Sequence, residues 1–205
     1  YAEWLNAVVN RVKESTLANY KAKFEKHILP VFGDVPCADL SAGRVNEFIN
    51  KKLADGLSAS YIRDIITVFK AMLSYAQEEY GFKLSLKNVV LPKVERKQIN
   101  RISDTEQKRL MDYLNANMSL TAFGILLSLC MGLRIGELCG IKWDDVDFQH
   151  KILHIRRTVQ RITSANGNRK TKIVISVPNS ATSFRDIAIP DALMEYFRMF
   201  RGKAD

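Results

Sequence analysis

Hydrophobic positions in the first eighty residues recur at the three- and four-residue spacing of helices. Ile62, Ile65, Ile66, Phe69, Met72, Leu73 and Ala76 fall on one face of a helix of about four turns. Val45, Phe48, Ile49 and Leu53 repeat the pattern earlier, in a helix expected to stop near Gly56, a residue suited to the left-handed position after a helix end. Tyr20, Phe24 and Ile28 mark another, expected to end at Pro30. The turn-rich stretch 29–43 joins them. The pattern predicts a bundle of about four helices over residues 5–85, with the apolar stripes forming its core.

Residues 86–101 lack helical periodicity and carry Lys87, Lys93, Arg96, Lys97 and Arg101 around Pro92, which reads as an extended basic linker. Ser103 followed by Glu106 then fits a capping box, and Leu110 and Leu114 continue the inward face of the helix it opens. The apolar run 120–133 is too short to span a bilayer and suits a buried helix. From residue 151 the period changes to that of strands. Stretches 151–162 and 171–178 are β-rich and flank Asn166-Gly167, a strong reversal signal, and 185–190 is a third short strand before a last helix. The expected fold is mainly α with a small antiparallel sheet. A helical-bundle domain (1–85) precedes the linker (86–101) and an α+β domain (102–205), whose three-stranded sheet lies at about 150–190.

Composition narrows the function. Lys and Arg number 31 against 22 Asp and Glu, a formal charge of +9, and both halves are basic. Such a surplus favours a polyanion, because each phosphate neutralised releases condensed counterions. Cys37, Cys130 and Cys139 lack metal-binding spacing and suit a reducing compartment, and His27, His150 and His154 are too scattered for a metal cluster. No stretch reaches the roughly 20 apolar residues of a membrane span. The chain opens on Tyr1, not Met, so a piece of a longer protein is expected.

The stretch 131–148, MGLRIGELCGIKWDDVDF, concentrates the chemistry. Gly132 frees the backbone between a buried helix and a new turn. Arg134 and Glu137, three apart, share a helical face and can interact. Leu138, Ile141 and Trp143 anchor the segment, and Asp144, Asp145 and Asp147 mark its exit into a strand. An Arg beside so apolar a run is expected to be partly buried, and to need a carboxylate or an anionic ligand.

The pattern G-L-R-x-x-E-L-x-x-I-x-W-x-D-V-D, filled from Gly132 to Asp147, resembles the first catalytic box of the tyrosine recombinases, or phage-type integrases. Stretch 17–80 resembles that family's helical core-binding domain, and 156–190 the sheet of conjugative-transposon integrases. The resemblance implies site-specific cutting and rejoining of double-stranded DNA through a 3′-phosphotyrosine link. Arg134 would stabilise charge on the reacting phosphate, and Glu137 would support the site. Lys87, Lys93, Arg96, Lys97, Arg101, Lys170, Lys172 and Arg185 are the expected phosphate contacts, the linker acting as a strap along the duplex.

Where the family places a Lys in the turn before Arg185, this chain has Asn179, which puts the general acid in doubt and leaves Lys170 and Lys172 as substitutes. The family's later H-x-x-R box and nucleophilic Tyr are not found here. His154 to Arg157 has those letters, but sits in a predicted strand whose alternation turns the two to opposite faces. Tyr196 lies among Met194, Phe197 and Phe200 on the last helix and is expected to pack on the sheet. The chain by itself is therefore expected to bind DNA without cleaving it, and a catalytically dead DNA-binding module is the alternative. No metal or other cofactor is implied. The resemblance further implies a homo-tetramer on DNA, a monomer when free, and a bacterial cytoplasmic, nucleoid-associated location.

Overall fold

The computed structural model describes residues 1–95, 98, 100–164, 170–177 and 184–202, without the side chain of Ala38. It divides into two compact units, Tyr1–Gln98 and Ile99–Asp205.

The first unit is helical: α1 (Ala2–Val8), α2 (Glu14–Lys23), α3 (Leu29–Phe32), α4 (Ala42–Ala54) and α5 (Ala59–Tyr80). Ser41 and Ser58 start α4 and α5 by accepting the backbone N–H three residues on, from Arg44 and Tyr61. The α5 stripe predicted from spacing is the core, with Ile62, Ile65, Ile66, Phe69 and Leu73 buried against Phe24, Phe48 and Ile49. A ring such as Phe69, stacked 5.0 Å from Phe32, contributes on the order of 2 kcal/mol by leaving water.

Pro30 does not end the helix that passes through Phe24. Residues Phe24–Ile28 form a π turn, in which Leu29 N–H donates to the carbonyl of Phe24, five back, and helix continues to Phe32. The wider turn accommodates a ring and a missing amide that an α-helix interior would not.

Part of the stretch 86–101, expected as an extended basic linker, packs on this unit. Leu84, Leu86, Val89 and Leu91 pack on the core, while Ser85 and Lys87 between them are exposed. The Asn46 side chain donates to the carbonyl of Asn88 and accepts the N–H of Val90, at 3.0 and 2.9 Å, and Arg63 donates to the carbonyl of Pro92. The signal for this docking is a two-residue alternation of apolar and polar positions, not a helical period.

The second unit opens with α6 (Asp104–Ala116), whose Ser103–Glu106 capping box is present as expected. It continues with α7 (Leu120–Met131), α8 (Ile135–Leu138) and, after the sheets, α9 (Asp191–Arg201). The strands are β1 (Val146–Asp147), β2 (Ile152–Ile155), β3 (Thr158–Thr163), β4 (Thr171–Ser176) and β5 (Arg185–Ala188).

The expected single three-stranded sheet is two sheets. Antiparallel β1-β2-β5 is one, and the hairpin β3-β4 is the other, because stretch 151–162 breaks at Arg156–Arg157. Leu153 and Ile155 are buried at odd positions and Ile162 at an even one. One strand of period two cannot bury both sets on one face.

Helix α7 is also less enclosed than its composition suggests. Ala122, Phe123, Leu126, Leu127 and Met131 are buried, but Leu120, Ile125 and Leu129 are exposed. Apolar residues all round a helix thus mark one buried face here, not burial on every side. Among the described residues no helix is long and apolar enough to cross a membrane.

Candidate active site

Helix α7 ends at Gly132, whose φ of 64° requires a residue without a Cβ clash, and the chain turns directly into Leu133-Arg134. Buried Leu133 anchors the turn, and Arg134 is the extended residue before α8. Glu137, on the first turn of α8, points inward and only 1% of its side chain is accessible. Its Oε2 accepts the backbone N–H of Arg134 at 3.0 Å, and its Oε1 accepts Nη1 of Arg134 at 2.9 Å.

The expected partial burial of Arg134 is not found: 73% of its side chain is accessible. The acid of the pair is the buried member. Its negative charge holds one edge of the guanidinium, and the rest of the arginine stands in solvent.

Burial of Glu137 is compensated from the sheet. Arg185, at the start of β5 and paired in register with Ile155, donates Nη1 to Oε1 and Nη2 to Oε2, both at 2.9 Å. These bonds from Arg185, together with those from Arg134 and against the opposing effect of burial, hold the Glu137 carboxyl down at about 2, below its ordinary 4.5. Arg185, expected among the phosphate contacts, is half-buried and engaged on a carboxylate instead.

The same device recurs within the box and was not anticipated. Buried Asp145 reaches back to the N–H of Lys142 at 2.8 Å and pairs with Arg157, which also donates to the carbonyl of Gly140. Gly140 permits this approach, since a Cβ there would lie 3.0 Å from the carbonyl oxygen of Arg157. Both acids stand three residues after an extended residue and accept its N–H, a spacing visible in R-x-x-E and K-x-x-D.

His154, a strand residue on β2, hydrogen-bonds Asp186 through Nδ1 at 2.7 Å, while Arg157 serves Asp145, so the letters H-x-x-R do not converge. Tyr196 packs on the core of this unit beside Phe123 on α7, and donates its hydroxyl to Oδ1 of Asn115 on α6. Lys87, Lys93, Arg101, Lys170 and Lys172 are exposed. Arg96, Lys97 and Asn179 lie outside the described residues, as does the Asn166-Gly167 reversal. Among the described residues no His, Cys, Asp and Glu cluster could hold a metal ion.

Residues 1–53 match the family described as phage integrase, N-terminal SAM-like domain, and residues 94–189 match the phage integrase family. A tyrosine recombinase XerC-like protein of Caldanaerobacter subterraneus subsp. tengcongensis is 29% identical over 98% of this chain and 54% of its own length. The integrase of Escherichia phage HK022 is 24% identical over 90% of this chain and 48% of its own. The chain thus spans about half the length of these curated relatives.

Among solved structures, the Tn1549 transposon integrase in complex with transposon right end DNA superposes with a TM-score of 0.71 at 18% identity, covering 97% of this chain and 63% of that one. A lambda integrase tetramer bound to a Holliday junction gives 0.65 at 19% identity, covering 96% of this chain and 53% of that one. At such identities the likeness is one of fold.

Proposed function

We propose that this chain, which belongs to the phage integrase or tyrosine recombinase family, supplies the DNA-gripping part and the first catalytic arginine of a site-specific recombinase. That enzyme would cut and rejoin double-stranded DNA through a 3′-phosphotyrosine intermediate. The observation that carries the reading is Arg134, an exposed guanidinium tethered at one edge to a buried carboxylate.

Attack on a phosphodiester concentrates negative charge on the non-bridging oxygens, and a planar fork of N–H donors held in place beforehand stabilises that charge without reorganising. Glu137 orients the fork. Lys87, Lys93, Arg96, Lys97, Arg101 and hairpin residues Lys170 and Lys172 hold backbone phosphates. Lys170 or Lys172 substitutes as general acid for the Lys expected at Asn179. No metal or nucleotide is needed, because a phosphotyrosine link conserves the energy of the bond it replaces.

Tyr196 is not the nucleophile. The hydroxyl of Tyr196 is turned to Asn115, and its ring sits against Phe123. The assembly on DNA is a homo-tetramer built from chains that are monomers when free, acting on the bacterial chromosome. One feature favours a second reading, a recombinase-derived module kept for DNA binding alone: Asn179 cannot donate a proton as Lys does.

Duplex affinity of the chain, measured between about 50 and 200 mM salt, is expected to fall steeply, and Arg134→Ala should lower the logarithmic salt slope by about one. Affinity that stays flat with salt would end this reading. A suicide DNA substrate should give no covalent adduct; an adduct would place the nucleophile at Tyr196.

A further inference from the structure

We propose that Arg185 is a positioning residue that keeps the Arg134 guanidinium turned outward, toward a phosphate, by filling half of the acceptor sites of Glu137. The inference rests on the reading of Arg134 as a phosphate ligand.

A carboxylate offers about four lone-pair sites. In Glu137 all four are taken: Oε1 by Nη1 of Arg134 and Nη1 of Arg185, Oε2 by the backbone N–H of Arg134 and Nη2 of Arg185. The acid is too deeply buried for water to serve in their place. With the two donors from β5 absent, the carboxylate would be left short, and an unpaired buried charge is strongly disfavoured. The Arg134 guanidinium, already tied to Glu137 through Nη1, would fold inward and pair fork to fork with it. Its N–H groups would then face the protein and not a ligand. Arg185 thus acts across 48 residues of chain without touching the ligand itself.

Asp145 and Arg157 provide the internal contrast. They form the same kind of acid–arginine pair in the same unit, but the arginine that Asp145 holds is largely buried.

The experiment compares the whole chain with Arg134→Ala, Arg185→Lys, the double variant and Arg157→Lys. It measures the salt slope of binding to a mixed-sequence duplex and nitrogen-15 NMR of the guanidinium groups. Arg185→Lys keeps a charge but loses the fork. It is expected to lower the slope by about one, as Arg134→Ala does, with no further loss in the double variant. The Arg134 Nε–H should exchange with water more slowly in Arg185→Lys than in the unaltered chain. Arg157→Lys should lower the melting temperature and leave both readouts unchanged.

Unchanged Arg134 signals and slope in Arg185→Lys would overturn the inference. So would a double variant losing about two units, since Arg185 would then itself be a phosphate contact. Should Arg185→Lys fail to fold, the unaltered chain decides: Arg185 Nη protons must exchange slowly and Arg134 Nε–H rapidly, and the reverse order sinks the idea. An unaltered chain without any duplex affinity would defeat the proposed function, while NMR would still read the coupling of the two arginines.

Discussion

Among the described residues, the buried ionisable side chains of the first unit are Lys23 and His27, whereas those of the second are Glu137 and Asp145. The basic pair is met by an aromatic ring. The ammonium of Lys23 lies 6.0 Å from the centre of the Tyr61 ring, and Nε2 of His27 lies 3.3 Å from the Tyr61 hydroxyl, with Nδ1 buried and unpartnered. Each of these two acids is instead met by arginine and a backbone N–H, Glu137 by Arg134 and Arg185, Asp145 by Arg157. In the first unit burial lowers the pKa of His27, whereas the second fixes full charges in place. The second arrangement can present a cation in a set direction.

The largest expected consequence concerns the charge pairs. Arg185→Met leaves Glu137 under-satisfied and should destabilise the second unit by about 3–5 kcal/mol. Urea unfolding followed through Trp143 reads that unit, and Trp4 reads the other. A loss confined to the Trp143 signal sharpens the contrast between the units; a loss below about 1 kcal/mol removes it.

Acidification should separate the units in order. Burial first, then Lys52 and Lys26, lowers the pKa of His27 below 6.5, so its contribution is fully present above that value and is lost as pH falls below it. Glu137, held at about 2 against an ordinary 4.5, contributes on the order of 3 kcal/mol above pH 4.5, lost only as pH falls toward 2. The Trp4 signal should therefore change at higher pH than the Trp143 signal. His27→Leu should move the Trp4 midpoint toward acid, and Glu137→Gln should flatten the low-pH limb of Trp143. Coincident midpoints would break the comparison.

The smallest effect is expected at the exposed end of the same network. Arg134→Ala leaves both donors of Arg185 on Glu137 and should cost about 1 kcal/mol or less in urea unfolding. A cost equal to that of Arg185→Met would mean that the two arginines are not divided into one facing solvent and one holding the acid.

Much of the frame was legible from residue spacing. The α5 stripe, the capping box at Ser103 and the turn at Gly132 all follow from interactions within four residues along the chain, which the order of residues specifies. The box from Gly132 to Asp147 announced Arg134 and Glu137 as partners. Three features escaped: the passage of helix through Pro30, the split of stretch 151–162 into two strands, and the docking of Leu84 to Leu91 on the first core. Weak signals existed for two of them, in the parity change between Ile155 and Ile162 and in the alternation after Phe82.

What the sequence by itself determined is the resemblance to the phage integrases, the order of helices followed by helices and strands, and the pairing of Arg134 with Glu137. Only the tertiary structure decided which charges are buried. Arg134 looked enclosed and is exposed, while Arg185 looked like a phosphate contact and is spent on Glu137. The reason is range. Spacing reports neighbours a turn away, but whether a charge is satisfied depends on a partner brought from 48 residues along the chain by the pairing of β2 with β5.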